Sequence, residues 1–149
     1  YVRDKDAVDG AFLICEMFAY YKTQGISLID KLNSLYEKYG YCLNTLHSYE
    51  FDGSAGFTKM QDIMAEFHKG LDTIGGKKVI EFQDYSKGLN GLPKSDVLKF
   101  ILEGNCSVVV RPSGTEPKLK TYISVSAADK ATAEKEEKII SDELAQKFV

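Results

Sequence analysis

Apolar residues recur at helical spacing from about residue 6 to residue 22, with Val8, Ala11, Phe12, Cys15, Phe18 and Ala19 on one face. The other sides are apolar as well, carrying Leu13, Ile14, Met17, Tyr20 and Tyr21, and Glu16 is the one charge between Ala11 and Tyr21. A helix that is apolar all round calls for partners all round, and this chain has few to offer. The pattern predicts exposed apolar surface here, to be covered by a neighbouring domain or by self-association with a second copy. Gly25 stops the helix. Ser27, followed three residues later by Asp30, opens a second helix whose expected buried stripe is Leu28, Leu32, Leu35, Tyr36 and Tyr39, and Gly40 closes it.

Beyond Gly40 the period shortens. Residues 41–51 predict a strand, 52–56 a turn, and about 57–69 a third helix with Met60, Ile63, Met64 and Phe67 facing inward and Gly70 as its stop. Gly75-Gly76 leads into a strand at about 78–83, and residues 84–95 form an irregular connection. Strands at 97–102 and 107–110 flank a Gly104-Asn105 turn, and a last strand covers 119–126. Leu119, Thr121, Ile123 and Val125 share one face of that last strand, while Lys118, Lys120, Tyr122 and Ser124 share the other. Asp129 caps a final helix over 130–148, with Ile140, Leu144 and Phe148 as its buried stripe and 134–138 as a solvated charged face. The order helix, helix, then β-α-β-β-β-β-α predicts an α+β fold: a small antiparallel sheet of four-stranded type with two helices on one face, preceded by two further helices. The expected division is a helical part, 1–40, and a sheet domain, 41–149.

Composition narrows the functions open to such a fold. The formal net charge is −3 and the lysines are scattered, so no nucleic-acid partner is expected. No run of about 18 apolar residues suggests a membrane span, and no secretory pattern is present, which points to the cytoplasm. The chain begins at Tyr1 rather than Met and is expected to be a piece of a longer protein. Cys15, Cys42 and Cys106 are far apart, and His47 and His68 are not at ligand spacing, so neither a metal site nor a disulfide framework is expected.

The candidate chemistry sits between the last two strands, in Arg111-Pro112-Ser113-Gly114-Thr115-Glu116-Pro117-Lys118. Arg111 offers a planar fork of donors that matches two phosphate oxygens. Ser113 and Thr115 add hydroxyl donors. Gly114 can adopt positive φ, which lets the chain curl and aim successive backbone N–H groups into a concavity. Pro112 and Pro117 stiffen the ends, which reduces the order lost when an anion binds. Lys118 and Lys120 add positive charge on the exit strand. Glu116 would repel a bound phosphate and is expected to turn outward or pair with a lysine. This is no Walker A loop, because no Gly-Lys-Ser/Thr follows and a strand stands where a helix should open.

Val-Arg-Pro-Ser-Gly-Thr-Glu-Pro-Lys at 110–118 closely resembles the phosphate-binding loop of the α-D-phosphohexomutases, the phosphoglucomutases and phosphomannomutases, where it lies in the fourth and last domain. Residues 1–10 resemble the end of the family's third domain, and residues 92–100 resemble its bacterial phosphoglucomutase branch. The resemblance covers essentially this whole chain but only about the last quarter of such an enzyme. It implies that 1–40 is the end of the third domain and that 41–149 is a TATA-box-binding-protein-like fourth domain, a likeness of fold alone.

The reaction implied is the interconversion of hexose 1-phosphate and hexose 6-phosphate, with glucose or mannose phosphates as substrates and a hexose 1,6-bisphosphate as intermediate. A phosphoserine and a Mg²⁺ supplied by upstream domains carry the transfer. The fourth-domain loop holds the phosphate that is not being transferred. By the same resemblance Arg111, Ser113 and Thr115 donate to phosphate oxygens, Gly114 contributes its N–H, Lys120 and Lys118 support electrostatically, and Lys5 resembles a lysine near the reacting groups. The last domain is expected to swing on 40–44 as substrate docks. The chain lacks the nucleophile and metal motifs, so by itself it is expected to bind phosphate without catalysis. The rival readings are a free-standing anion-binding or regulatory module and an interaction domain with a coincidental loop.

Overall fold

The computed structural model describes residue 3, residues 5–114 and residues 116–148. The chain divides into two compact units, Tyr1–Gly40 and Tyr41–Val149.

The first unit holds α1 (Ala7–Thr23) and α2 (Leu28–Tyr39). Local chemistry sets their ends. Asp6 accepts from the N–H groups of Val8 and Asp9, two donors that the first turn leaves unpaired. At the other end of α1, the Gly25 N–H donates to Lys22 O and the Ile26 N–H to Tyr21 O, the paired bonds of a Schellman stop. Ser27 and Asp30 form a reciprocal capping box on α2. Packing is another matter, since neither helix has a buried residue. Val8 is 82% exposed and Phe12 65%. The stripe expected on α2 is not buried either: Leu32, Leu35 and Tyr39 are exposed.

The second unit is a six-stranded antiparallel sheet in the order β1-β6-β5-β4-β3-β2. Its strands are β1 (Tyr41–Glu50), β2 (Thr73–Ile74), β3 (Lys77–Asp84), β4 (Leu98–Leu102), β5 (Cys106–Pro112) and β6 (Lys118–Ala127). Two helices, α3 (Gly53–Phe67) and α4 (Lys130–Phe148), cover one face. The class is the expected α+β, but the sheet is wider than the four-stranded type. A two-residue strand, β2, extends its edge through a tight Gly75-Gly76 turn with φ of 60° and 72°. Such a turn needs positive φ at both central residues, and Gly75 also lies where a Cβ would run into Ile140 of α4.

Burial follows the pleat. Leu98, Phe100 and Leu102 of β4, Val108 and Val110 of β5, and Leu119, Thr121, Ile123 and Val125 of β6 all point into the helix-covered face. Met60, Ile63, Met64 and Phe67 of α3 and Ala133, Ile140, Leu144 and Phe148 of α4 meet them. Aromatic rings join the layers: Phe67 lies edge-on to Phe100 at 6.1 Å, and Tyr49 edge-on to Phe148 at 4.6 Å.

Two expectations are corrected here. Residues 52–56 are not a free turn, because α3 already begins at Gly53. Gly and Ser are poor helix formers, but a Cβ at Gly56 would sit 2.6 Å from the Phe51 carbonyl carbon, so close packing on the end of β1 selects glycine within the helix. Nor is 134–138 wholly a solvated face. Glu137 accepts from Thr45 Oγ1 at 2.7 Å and pairs with His47 Nε2 at 2.7 Å, and Glu136 pairs with Lys77 at 3.0 Å. These carboxylates tie α4 to both sides of the sheet.

Candidate functional site

The uncovered face of the sheet carries the even-numbered residues of β1 and the odd-numbered residues of β5 from Ser107 to Arg111. Register places Arg111 of β5 directly opposite Lys120 of β6, and Lys120 opposite Ser48 of β1. Two cations therefore stand side by side at the end of the β5–β6 hairpin, with a hydroxyl at the row's edge. Like charges directly opposite one another cost stability. Among the described residues no carboxylate pairs with Arg111 or Lys120. A row of this kind is suited to an anion.

The loop closes on its own backbone. The Ser113 N–H donates to Lys118 O at 2.7 Å, the Lys118 N–H to Glu116 O at 2.7 Å, and the Phe51 N–H to Pro117 O at 2.9 Å, which fastens the loop to the end of β1. Ser113 and Pro112 also border a depression of about 410 Å³ against Met60 and Met64 of α3. Gly114 does not take positive φ, and a Cβ there would meet nothing within 4 Å. The backbone bonds and the prolines turn the chain without it. With the Ser113 and Lys118 N–H groups already engaged, the Gly114 N–H is left as a donor with no acceptor among the described residues. Thr115 lies outside the described residues.

Lys118 behaves differently from the other two cations. Its Nζ lies 3.0 Å from Glu50 Oε1 and 3.4 Å from Glu116 Oε1, and these two carboxylates push its pKa up. Glu116 thus pairs with a lysine, one of the two arrangements expected for it. The structure brings Arg111, Ser113, Gly114, Lys118 and Lys120 to one hairpin end. Lys5 belongs to the helical unit, exposed just ahead of α1.

Sequence reasoning missed a cluster beside the loop. His68, at the end of α3, has Nδ1 3.4 Å from Asp84 and Nε2 3.1 Å from Asp96. His68 and Asp96 border the same depression as Ser113. Burial pushes the Asp84 carboxyl up. Hydrogen bonds from the Ser86 side chain and N–H, with Lys87 and His68, outweigh it and bring the carboxyl to about 2. The two aspartates bracket the irregular 84–95 connection and pin its ends to α3. The only hint was their position at the two ends of a polar loop.

Among the described residues no group of three His, Cys, Asp or Glu is placed to hold a metal ion. Cys15, Cys42 and Cys106 are free thiols, the first two exposed. No helix is long and apolar enough to cross a membrane.

A family model described as the C-terminal domain of phosphoglucomutase/phosphomannomutase matches residues 57–141, from α3 through the hairpin into α4. The chain belongs to that family. A phosphoglucomutase of Staphylococcus epidermidis is 35% identical over 139 residues, covering 85% of this chain and 25% of that protein. A phosphoglucomutase of Staphylococcus aureus is 35% identical over 138 residues, with 84% and 25% covered. The chain therefore spans about a quarter of the length of the curated relatives it matches. In fold it is similar to a crystal structure of the Paramecium exocytosis-sensitive phosphoprotein pp63/parafusin, a phosphoglucomutase in open form. The TM-score is 0.63 at 17% identity, covering 99% of this chain and 27% of that one.

Proposed function

We infer that the β5–β6 hairpin end is a phosphate grip and that the chain serves as the C-terminal part of a phosphoglucomutase. Its task there is to hold the phosphate of a hexose phosphate that is not being transferred. The supporting observation is the cross-strand pair Arg111–Lys120 on the uncovered face, free of carboxylates among the described residues and one residue ahead of the loop that carries Ser113 and Gly114. A dianion bridging the two side chains would turn a destabilising juxtaposition into two charge-assisted contacts. Arg111 supplies the fork, Lys120 a point charge, and Ser113 and Thr115 hydroxyl donors.

Such a site recognises the phosphate and little of the sugar. That suits a reaction in which one sugar presents its 1-phosphate and then its 6-phosphate to the same grip. In this reading residues 1–40 are the end of the preceding domain, and Lys5 reaches the reacting groups from it. Domain closure over the substrate turns on 40–44. The protein works in the cytoplasm on glucose phosphates, with mannose phosphates as possible alternatives and a hexose 1,6-bisphosphate as intermediate. Among the described residues no group of three His, Cys, Asp or Glu is placed to hold the Mg²⁺ that the family's chemistry implies. Metal and phosphoserine are contributions of upstream domains, and this chain alone binds without turnover.

The test is a chimera in which this chain replaces the matching quarter of the Staphylococcus epidermidis phosphoglucomutase. It is expected to interconvert glucose 1-phosphate and glucose 6-phosphate. Arg111→Met is expected to lower kcat/KM by about a hundredfold, the scale of losing a charged, hydrogen-bonded phosphate contact. A folded chimera without activity, or one indifferent to Arg111→Met, would overturn the reading.

A further inference from the structure

Three cations stand at the hairpin end, but they are not equivalent. Arg111 and Lys120 meet no carboxylate among the described residues, whereas Lys118 meets two, Glu50 at 3.0 Å and Glu116 at 3.4 Å. The fold imposes this difference. Glu50 is the last residue of β1 and sits directly opposite Lys118, the first residue of β6. Glu116 is drawn in from the loop by the bond from the Lys118 N–H to its carbonyl. The Lys118 side chain is 27% exposed, against 66% for Glu50 and 52% for Glu116, so of the three it is the one most covered by its neighbours.

We propose that Lys118 is a positioning residue rather than a phosphate ligand: it acts on the anion through Glu50 and Glu116, masking two carboxylates that would otherwise repel it. This rests on the phosphate-grip reading and assigns Glu50, a residue outside the loop, to the site. The trio keeps one net negative charge beside a grip of two positive charges. The grip is thereby weakened without being abolished, which suits a phosphate that has to be released after each turn of the sugar.

The consequence is a small, salt-screened effect that direct ligation does not produce. Lys118→Met leaves two unmasked carboxylates and is expected to weaken inorganic phosphate binding about fivefold at low ionic strength, the size of a unit charge acting on a dianion through water. Glu116→Gln is expected to tighten binding severalfold. Charges superpose, so Lys118→Met is expected to cost about the same in the Glu50→Gln/Glu116→Gln background, and in both to fall below about twofold at about 1 M salt, where the screening length is about 3 Å.

The experiment is an amide-shift titration of the 149-residue chain and these variants with inorganic phosphate and with glucose 6-phosphate. Lys118→Arg is the conservative control, expected to stay within twofold of the parent, and unliganded spectra report any rearranged loop. If Lys118→Met costs about tenfold or more and the loss survives about 1 M salt, Lys118 is a direct ligand and the proposal fails while the grip stands. If Arg111→Met leaves binding intact, or the parent chain does not bind phosphate, both fail.

Discussion

α1 and α4 are helices of 17 and 19 residues with opposite fates. α1 is apolar on nearly every side and buries nothing. α4 is nearly half charged, yet it buries Ala133, Ile140, Leu144 and Phe148 against the sheet. Hydrophobicity alone therefore does not make a core. A narrow stripe matched to a partner does, and an all-round apolar helix lacking one is held only by its caps and its backbone bonds. The site belongs to the matched part. The hairpin that carries Arg111 and Lys120 is the continuation of β5 and β6, whose inner residues are part of the buried core.

The sharpest test of this contrast is a pair of phenylalanines. Phe100→Ala, at a fully buried position, is expected to lower the unfolding free energy of the sheet unit by about 3–5 kcal/mol. Phe12→Ala, on exposed α1, is expected to change it by less than about 0.5 kcal/mol. Denaturant unfolding of both variants checks it, and equal losses would erase the distinction between the units.

A smaller effect concerns acid. The Asp84 carboxyl is held below its unfolded value, so its contribution to stability is fully present above the ordinary carboxylate range and is lost as pH falls through about 2. Asp84→Asn is expected to cost about 1–2 kcal/mol at neutral pH, a charged hydrogen-bond network reduced to a neutral one. The gap to the parent should close between about pH 4 and pH 2 in acid-unfolding curves. A gap that persists at pH 2 would mean that the charge of Asp84 is irrelevant to the 84–95 connection.

Smallest is the effect of a cap. Ser27→Ala removes the capping box of α2 and is expected to cost about 1 kcal/mol of helix stability. Amide exchange at residues 28–31 should quicken while the unfolding midpoint of the sheet unit stays put. A shift in that midpoint would show the two units to be one cooperative structure.

Much of this was legible because it is local or periodic. Met60, Ile63, Met64 and Phe67 announce the inner face of α3 by spacing, and Leu119, Thr121, Ile123 and Val125 do the same for β6. Ser27 and Asp30 announce their cap. What escaped depends on contacts distant in sequence. The first turn of α3 reads as a loop because Gly56 answers to the Phe51 backbone, a contact that no periodicity shows. β2 has only Thr73 and Ile74, too short to show a period. His68 with Asp84 and Asp96, and Glu137 with Thr45 and His47, join residues far apart along the chain, so no spacing rule could pair them. The proposal that the loop grips an anion rests first on its residue types. That Lys118 is spent on carboxylates while Arg111 and Lys120 meet none among the described residues emerges only from the fold.

The central claim is that the hairpin end is where phosphate binds, and a residue-resolved amide titration with glucose 6-phosphate tests it most directly. The account predicts saturable shifts confined to residues 111–120 and the facing end of β1, lost on Arg111→Met. Shifts that cluster elsewhere on the sheet unit, or that survive Arg111→Met unchanged, would contradict it.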